Sequence, residues 1–129
     1  MLTNLISRLF SRNSAAPVVD FLRGGYGLQQ AGDMPGAERQ YRAALKVEPE
    51  NADAHYLLGA LLGEGGAYAE AGAHIDRALA QKPDNAQAHA ARGNIHLMLG
   101  ELGAAAQSYE QALRFDPANA VASFTTFWA

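Results

Sequence analysis

The 129-residue sequence contains no cysteine, which excludes disulfides, thiol catalysis and thiolate metal sites. It leaves the compartment open. No uninterrupted apolar run approaches the roughly 18 residues that a membrane-spanning helix needs, so the expected location is cytoplasmic. Positive charge is scarce. Ten Lys and Arg stand against thirteen Asp and Glu, a net charge of −3, which argues against the basic footprint of a nucleic-acid-binding protein. Only 18% of residues are charged and 49% are hydrophobic, so the chain has the means to bury a core. The length suits one ordinary domain. What is plentiful is glycine, at thirteen residues, with five prolines; both look out of place in a helical protein until their spacing is read.

Pro49-Glu50-Asn51-Ala52 recurs as Pro83-Asp84-Asn85-Ala86 and again as Pro117-Ala118-Asn119-Ala120, at a spacing of 34 residues. Three blocks follow, at 18–51, 52–85 and 86–119. Within them Gly25, Gly59 and Gly93 align, as do Gly32, Gly66 and Gly100, then Ala37, Ala71 and Ala105, then Ala44, Ala78 and Ala112. A large residue, Tyr41, Ile75 or Tyr109, stands between the last two sets. Each block reads as two helices. Asn51 is placed to cap the first helix of the second block through an orphan backbone N–H, and Gly65-Gly66 ends it. A second helix runs from about Tyr68 to Gln81, and Pro83 marks its end. In the first block Asp33 caps the second helix, Pro35 sits early in it, and Glu38 and Arg42 form an i,i+4 pair. A mid-helix Gly costs about 1 kcal/mol relative to Ala. Its threefold recurrence therefore implies a shared demand, close approach of the paired helix. One helix pair cannot bury its apolar face alone; stacked neighbours bury it together.

These residues resemble the tetratricopeptide repeat family, a 34-residue helix-turn-helix with small residues at the aligned Gly and Ala positions and Pro near the end. The resemblance covers residues 18–119, and Asn51 to Tyr56 and Asn85 to His89 look like bacterial versions. Gly24 and Arg92 depart from it, standing where the family usually has the leucine that Leu58 keeps. Leu28, Leu62 and His96 replace a common aromatic residue. The first helix, with Gly24, Gly25 and Gly27, is expected to be the weakest. The resemblance implies an all-α, right-handed superhelical solenoid of three repeats with flanking N- and C-terminal helices and a concave groove lined by the first helices.

The ends lie outside the repeat. In residues 1–17, Leu2, Leu5, Ile6, Leu9 and Phe10 share one helical face, Arg8 and Arg12 lie elsewhere, and Asn13 to Pro17 reads as a linker. This segment suits a helix docked on the first repeat, a tail that folds on a partner, or an interfacial helix giving peripheral membrane association through residues 1–12. A secretory signal is disfavoured, since Arg8 breaks the apolar run and no basic residue precedes it. Residues 120–129 read as a short capping helix. Phe127 occupies the column of Gly25, Gly59 and Gly93, so a fourth repeat is not simply started and cut; Phe124, Phe127 and Trp128, three aromatics in five residues, offer self-association as an alternative.

Chemistry is not expected. His89 and His96, seven residues apart on one helix, would lie about 10 Å apart along its axis, too far to share an ion. His55 and His89 stand in the column of Phe21 and read as packing residues. No serine sits in a Gly-x-Ser-x-Gly elbow, and Gly24-Gly25-Tyr26-Gly27 lacks the phosphate-cradle spacing. Glu48, Glu50, Asp84 and Asp116 read as solvated turn charges. No catalytic residue, cofactor or metal is therefore assigned. The expected function is a non-enzymatic scaffold that binds a partner protein in the groove, with Leu22, Tyr26, Gln29, Tyr56, Glu64, Gln87, Asn94 and Met98 as contact residues. Val19, Gln30, Asp53, Ala60, Ala90 and Leu97 share that face. Some family members hold a partner's C-terminal carboxylate with Lys, Arg and Asn; here Leu22, Tyr26, Leu57, Gln87 and Ala91 occupy those places, so that clamp is missing. The alternatives are the repeat portion of a larger transferase and a membrane-peripheral adapter.

Overall fold

The computed structural model describes residues 17–118, and every regular element in them is an α-helix. Helix α1 occupies residues 17–30, followed by α2 (Met34–Val47), α3 (Ala52–Glu64), α4 (Tyr68–Gln81), α5 (Ala86–Met98) and α6 (Leu102–Phe115). Residues 117–118 are helical again. Pro17, read from sequence as the last linker residue, already belongs to α1, where an early proline is tolerated. The N-terminal amphipathic segment and the aromatic cluster of Phe124, Phe127 and Trp128 lie outside the described residues.

The helix ends are set by the residues singled out by the repeat. Asn51 Oδ1 accepts from Ala54 N–H at 2.8 Å, and Asn85 Oδ1 accepts from Ala88 N–H at 3.1 Å. Asp33 does the same for Gly36 N–H at 2.9 Å. Helices α4 and α6 begin at Ala67 and Glu101 with no side-chain cap. At the opposite ends of α1, α3 and α5, Gly32, Gly66 and Gly100 take φ values of 88°, 86° and 78°. The residue after each donates back to the last turn: Asp33 to Leu28 O, Ala67 to Leu62 O, and Glu101 to His96 O. This is the left-handed Schellman stop, which a Cβ would strain. Gly65, by contrast, is still right-handed.

Helices pair within a block and stack between blocks. Helix α3 packs on α4 and α5 on α6, while α2 meets α3, α4 meets α5, and α3 touches α5. One core runs through the stack, with Tyr41, Leu58 and Ile75 as its largest fully buried side chains. Ala44 is buried between Val18 of α1 and Ala54 of α3, which is how the second block comes close to the first. Within each pair the mid-helix glycine makes room for the filler side chain. A Cβ on Gly25 would fall 2.5 Å from Tyr41 Cε1, and one on Gly93 would fall 2.8 Å from Tyr109 Cε1. At Gly59 it would meet Ile75 Cδ1 at 2.9 Å and the Ala71 carbonyl oxygen at 3.0 Å. The close approach expected of the helices is thus chiefly one of side chain onto backbone.

Polar contacts tie the blocks together. Arg42 bonds Glu38 at 2.9 Å on its own helix and Glu70 at 2.7 Å on the next block. Arg92, in the family's leucine column, pairs with Asp76 at 3.3 Å across α4 and α5. These pairs are exposed and each is worth roughly 0–1 kcal/mol. Glu48 is not simply a solvated turn charge, since its carboxylate accepts from Asn51 Nδ2 at 2.8 Å and steadies the capping residue.

Candidate functional site

A hollow of about 460 Å³ opens between α3 and α5. The filler side chains around it differ from block to block. Tyr41 and Tyr109 each carry a hydroxyl into the seam, and each needs an acceptor. Gln29 Oε1 takes the Tyr41 proton at 2.7 Å. Asn94 Oδ1 takes that of Tyr109. In the second block the filler is Ile75, with no hydroxyl to satisfy. There the columns of Gln29 and Asn94 hold Gly63 and Ala60. The absent side chains leave space, and Gly59, Ala60 and Gly63 form one wall of the hollow.

Five of the contact residues expected from sequence meet in this hollow: Tyr56 and Glu64 from α3, and Gln87, Asn94 and Met98 from α5. Ala60 and Ala90 join them, along with Ala91, Ile95 and, from α4, Tyr68. The other three lie elsewhere. Leu22 is half-buried and packs against two parts of the core. Gln29 is held by Tyr41. Tyr26 is 52% exposed on α1, outside the lining. Asp53, also expected on this face, is tied to Lys82 Nζ at 3.1 Å. Sequence reasoning missed Gly59, Gly63, Tyr68 and Ile95 as lining residues. The signal for the glycines was present as an isoleucine filler facing two columns with no amide.

The lining is mostly neutral. Among the described residues Glu64 supplies its one carboxylate, and neither Lys nor Arg lines it. Burial raises the Tyr56 phenol above its usual range, and the charges of Glu64 and Tyr26 push the same way. Tyr41 is raised likewise, first by burial and then by Tyr26 and Glu64. Burial alone raises Tyr109. The field of Glu64 therefore reaches the first and second blocks, on the hollow's α3 side.

Two of the four histidines serve the backbone, and His96 Nδ1 meets the Glu101 carboxylate at 2.7 Å. His55 Nε2 donates to the Pro49 carbonyl and His89 Nε2 to that of Pro83, both at 2.7 Å and 34 residues apart. With its Nε2 hydrogen committed, neutral His55 accepts at Nδ1 from His74 Nδ1–H, 3.0 Å away. Burial lowers the His74 pKa, and His55, Arg42 and Arg77 lower it further against the opposing pull of Glu70. His89 instead stacks on Phe115, with centroids 5.6 Å apart. Among the described residues no three His, Asp or Glu side chains gather to hold a metal. No helix among them is long and apolar enough to cross a membrane.

A tetratricopeptide repeat family model matches residues 22–86 and again 61–120. The chain belongs to the tetratricopeptide repeat family. Solved repeat structures agree. An O-GlcNAc transferase variant from Thermobaculum terrenum is 33% identical, with a TM-score of 0.79 over 81% of this chain. This chain spans only 20% of that transferase. The second repeat domain of Spaghetti (RPAP3), solved bound to the HSP90 peptide SRMEEVD, is 22% identical with a TM-score of 0.77, covering 81% of this chain and 96% of that one. The repeat domain of Arabidopsis OM64 is 20% identical with a TM-score of 0.80, covering 88% and 95%. No curated protein sequence matches this chain.

Proposed function

We propose that this tetratricopeptide protein is a non-enzymatic interaction scaffold that docks an extended or helical partner segment in the hollow between α3 and α5. The observation that carries the reading is the hollow itself. Its volume of about 460 Å³ and its mix of apolar and neutral polar walls suit a few side chains of a peptide. Tyr56, half-buried at its edge, is the natural anchor, since tyrosine is enriched among residues that dominate binding energy. Repeat domains of the same fold were solved with HSP90 and HSP70 peptides bound, which supports peptide docking as the mode. Affinity capture from the source organism tests it, with the full chain beside Ala60→Trp, which fills the hollow. Partners retained by the full chain and lost with Ala60→Trp, at unchanged helicity, support the reading. Equal capture by both contradicts it. Tyr26→Ala with Tyr56→Ala, run alongside, tests the tyrosine anchors.

A second reading is favoured by the 33% identity to the transferase, of which this chain spans a fifth. In that reading the three repeats are the substrate-presenting portion of a larger enzyme. The downstream reading frame decides it: a catalytic domain continuing past Ala129 supports it, and a stop codon removes it.

A further inference from the structure

The charge of the hollow names the kind of segment it takes. Glu64, the last residue of α3, is exposed, and its carboxylate makes no hydrogen bond or ion pair among the described residues. Its counterparts in the first and third blocks are Gln30 and Met98, so this charge belongs to the second block alone. Tyr56 and Tyr68 line the same space and offer aromatic faces. Asn94 has its amide oxygen taken by Tyr109, which leaves the amide hydrogens for a ligand. Ala90, Ala91, Ile95 and Met98 supply the apolar wall opposite.

We propose that the hollow recognises a basic, apolar protein segment: an arginine pairs with Glu64 and stacks on Tyr56 or Tyr68, and a neighbouring aliphatic side chain rests against Ile95 and Met98. The inference rests on the docking reading above. Arginine fits better than lysine, because a planar guanidinium can meet a carboxylate with two hydrogen bonds and lie on an aromatic face. An acidic tail fits badly, because it would bring a second carboxylate towards Glu64 with no cation in the lining to meet it. The Glu64 carboxylate therefore sets this hollow apart from a receptor for a peptide such as SRMEEVD. The field of Glu64 at the Tyr56 and Tyr41 phenols runs in the same direction.

Three pools of acetylated, amidated, fluorescein-labelled nonapeptides test the proposal by fluorescence anisotropy. All are randomised over Ala, Leu, Ile and Ser, with a central Arg, citrulline or Glu. The Arg pool is expected to bind about tenfold more tightly than the citrulline pool, the size of one charge-assisted hydrogen bond. The Glu pool is expected to bind weakest. Glu64→Gln should erase the Arg preference, so that the Arg and citrulline pools bind alike, and Ala60→Trp should abolish binding of all three. Arg and citrulline pools that bind alike, or an Arg preference that survives Glu64→Gln, overturn the proposal. If binding then still disappears with Ala60→Trp, the docking reading stands without it. Binding indifferent to Ala60→Trp overturns both, as does the absence of binding by any pool at millimolar peptide.

Discussion

The first and third blocks fill the seam between their paired helices with a tyrosine; the second fills it with an isoleucine. The tyrosines donate to amides on the opposite helix, Gln29 and Asn94. The isoleucine recruits nothing, and Gly63 and Ala60 stand in the corresponding columns. The backbone solution is the same in all three blocks, with a glycine facing the filler and a left-handed glycine ending the first helix. A repeat protein can thus hold its architecture constant while one buried side chain and the two positions that face it change.

Removing a filler is the most severe way to break the comparison. Tyr41 is fully buried, and Tyr41→Ala should cost about 3–5 kcal/mol in chemical denaturation, as other large-to-small aromatic changes do. Crowding a filler is next. Gly59→Ala should destabilise by about 1–3 kcal/mol, because the new Cβ meets Ile75 and the Ala71 carbonyl oxygen. Gly27→Ala, where a Cβ meets nothing within 4 Å among the described residues, should stabilise by about 1 kcal/mol from helix propensity. Opposite signs in urea titrations would separate a packing glycine from a merely permissive one.

The junction histidines differ between blocks in a way that pH can expose. The His74 pKa is lowered in the folded protein, so folding disfavours its protonated form. The corresponding stability is present above the unfolded value, about 6.5, and is lost as pH falls below it towards the folded value. His74→Gln places the first block's own residue, Gln40, in that column and should flatten this acid-side loss in melts between pH 7 and pH 5. The smallest effect concerns helix starts. Asp33 caps α2, but its counterpart Ala67 leaves α4 uncapped. Ala67→Ser should raise stability by about 1 kcal/mol.

The fold was legible because one period carries every signal at once. Asn51, Gly66 and Pro83 mark starts and stops that the helices obey, and their recurrence at 34 residues leaves little freedom. The site was legible only in part. Tyr56 and Glu64 share a face of α3, and Gln87, Asn94 and Met98 a face of α5, so helical spacing groups each set and the stacking of the two helices brings the sets together. The same spacing put Leu22 and Gln29 on the corresponding face of α1, but Leu22 packs into the core and Gln29 answers a hydroxyl twelve residues away. Helical periodicity describes one helix; whether its face stays open depends on what the paired helix inserts. Read that way, Ile75 was the strongest clue to the hollow, and it lay outside the face being read.

The most direct test transplants the third block's solution into the second. Ile75→Tyr alone should destabilise the protein, since its hydroxyl finds Ala60 where Asn94 receives Tyr109. Adding Ala60→Asn should recover about 1 kcal/mol or more through the restored hydrogen bond. It should also close the hollow, so that the doubly substituted chain folds but no longer binds the peptide pools. A double-mutant cycle in urea, read beside anisotropy, measures both. Coupling together with lost binding is the expected result. Additive effects, or full binding by the doubly substituted chain, would contradict the claim that the isoleucine seam makes the site.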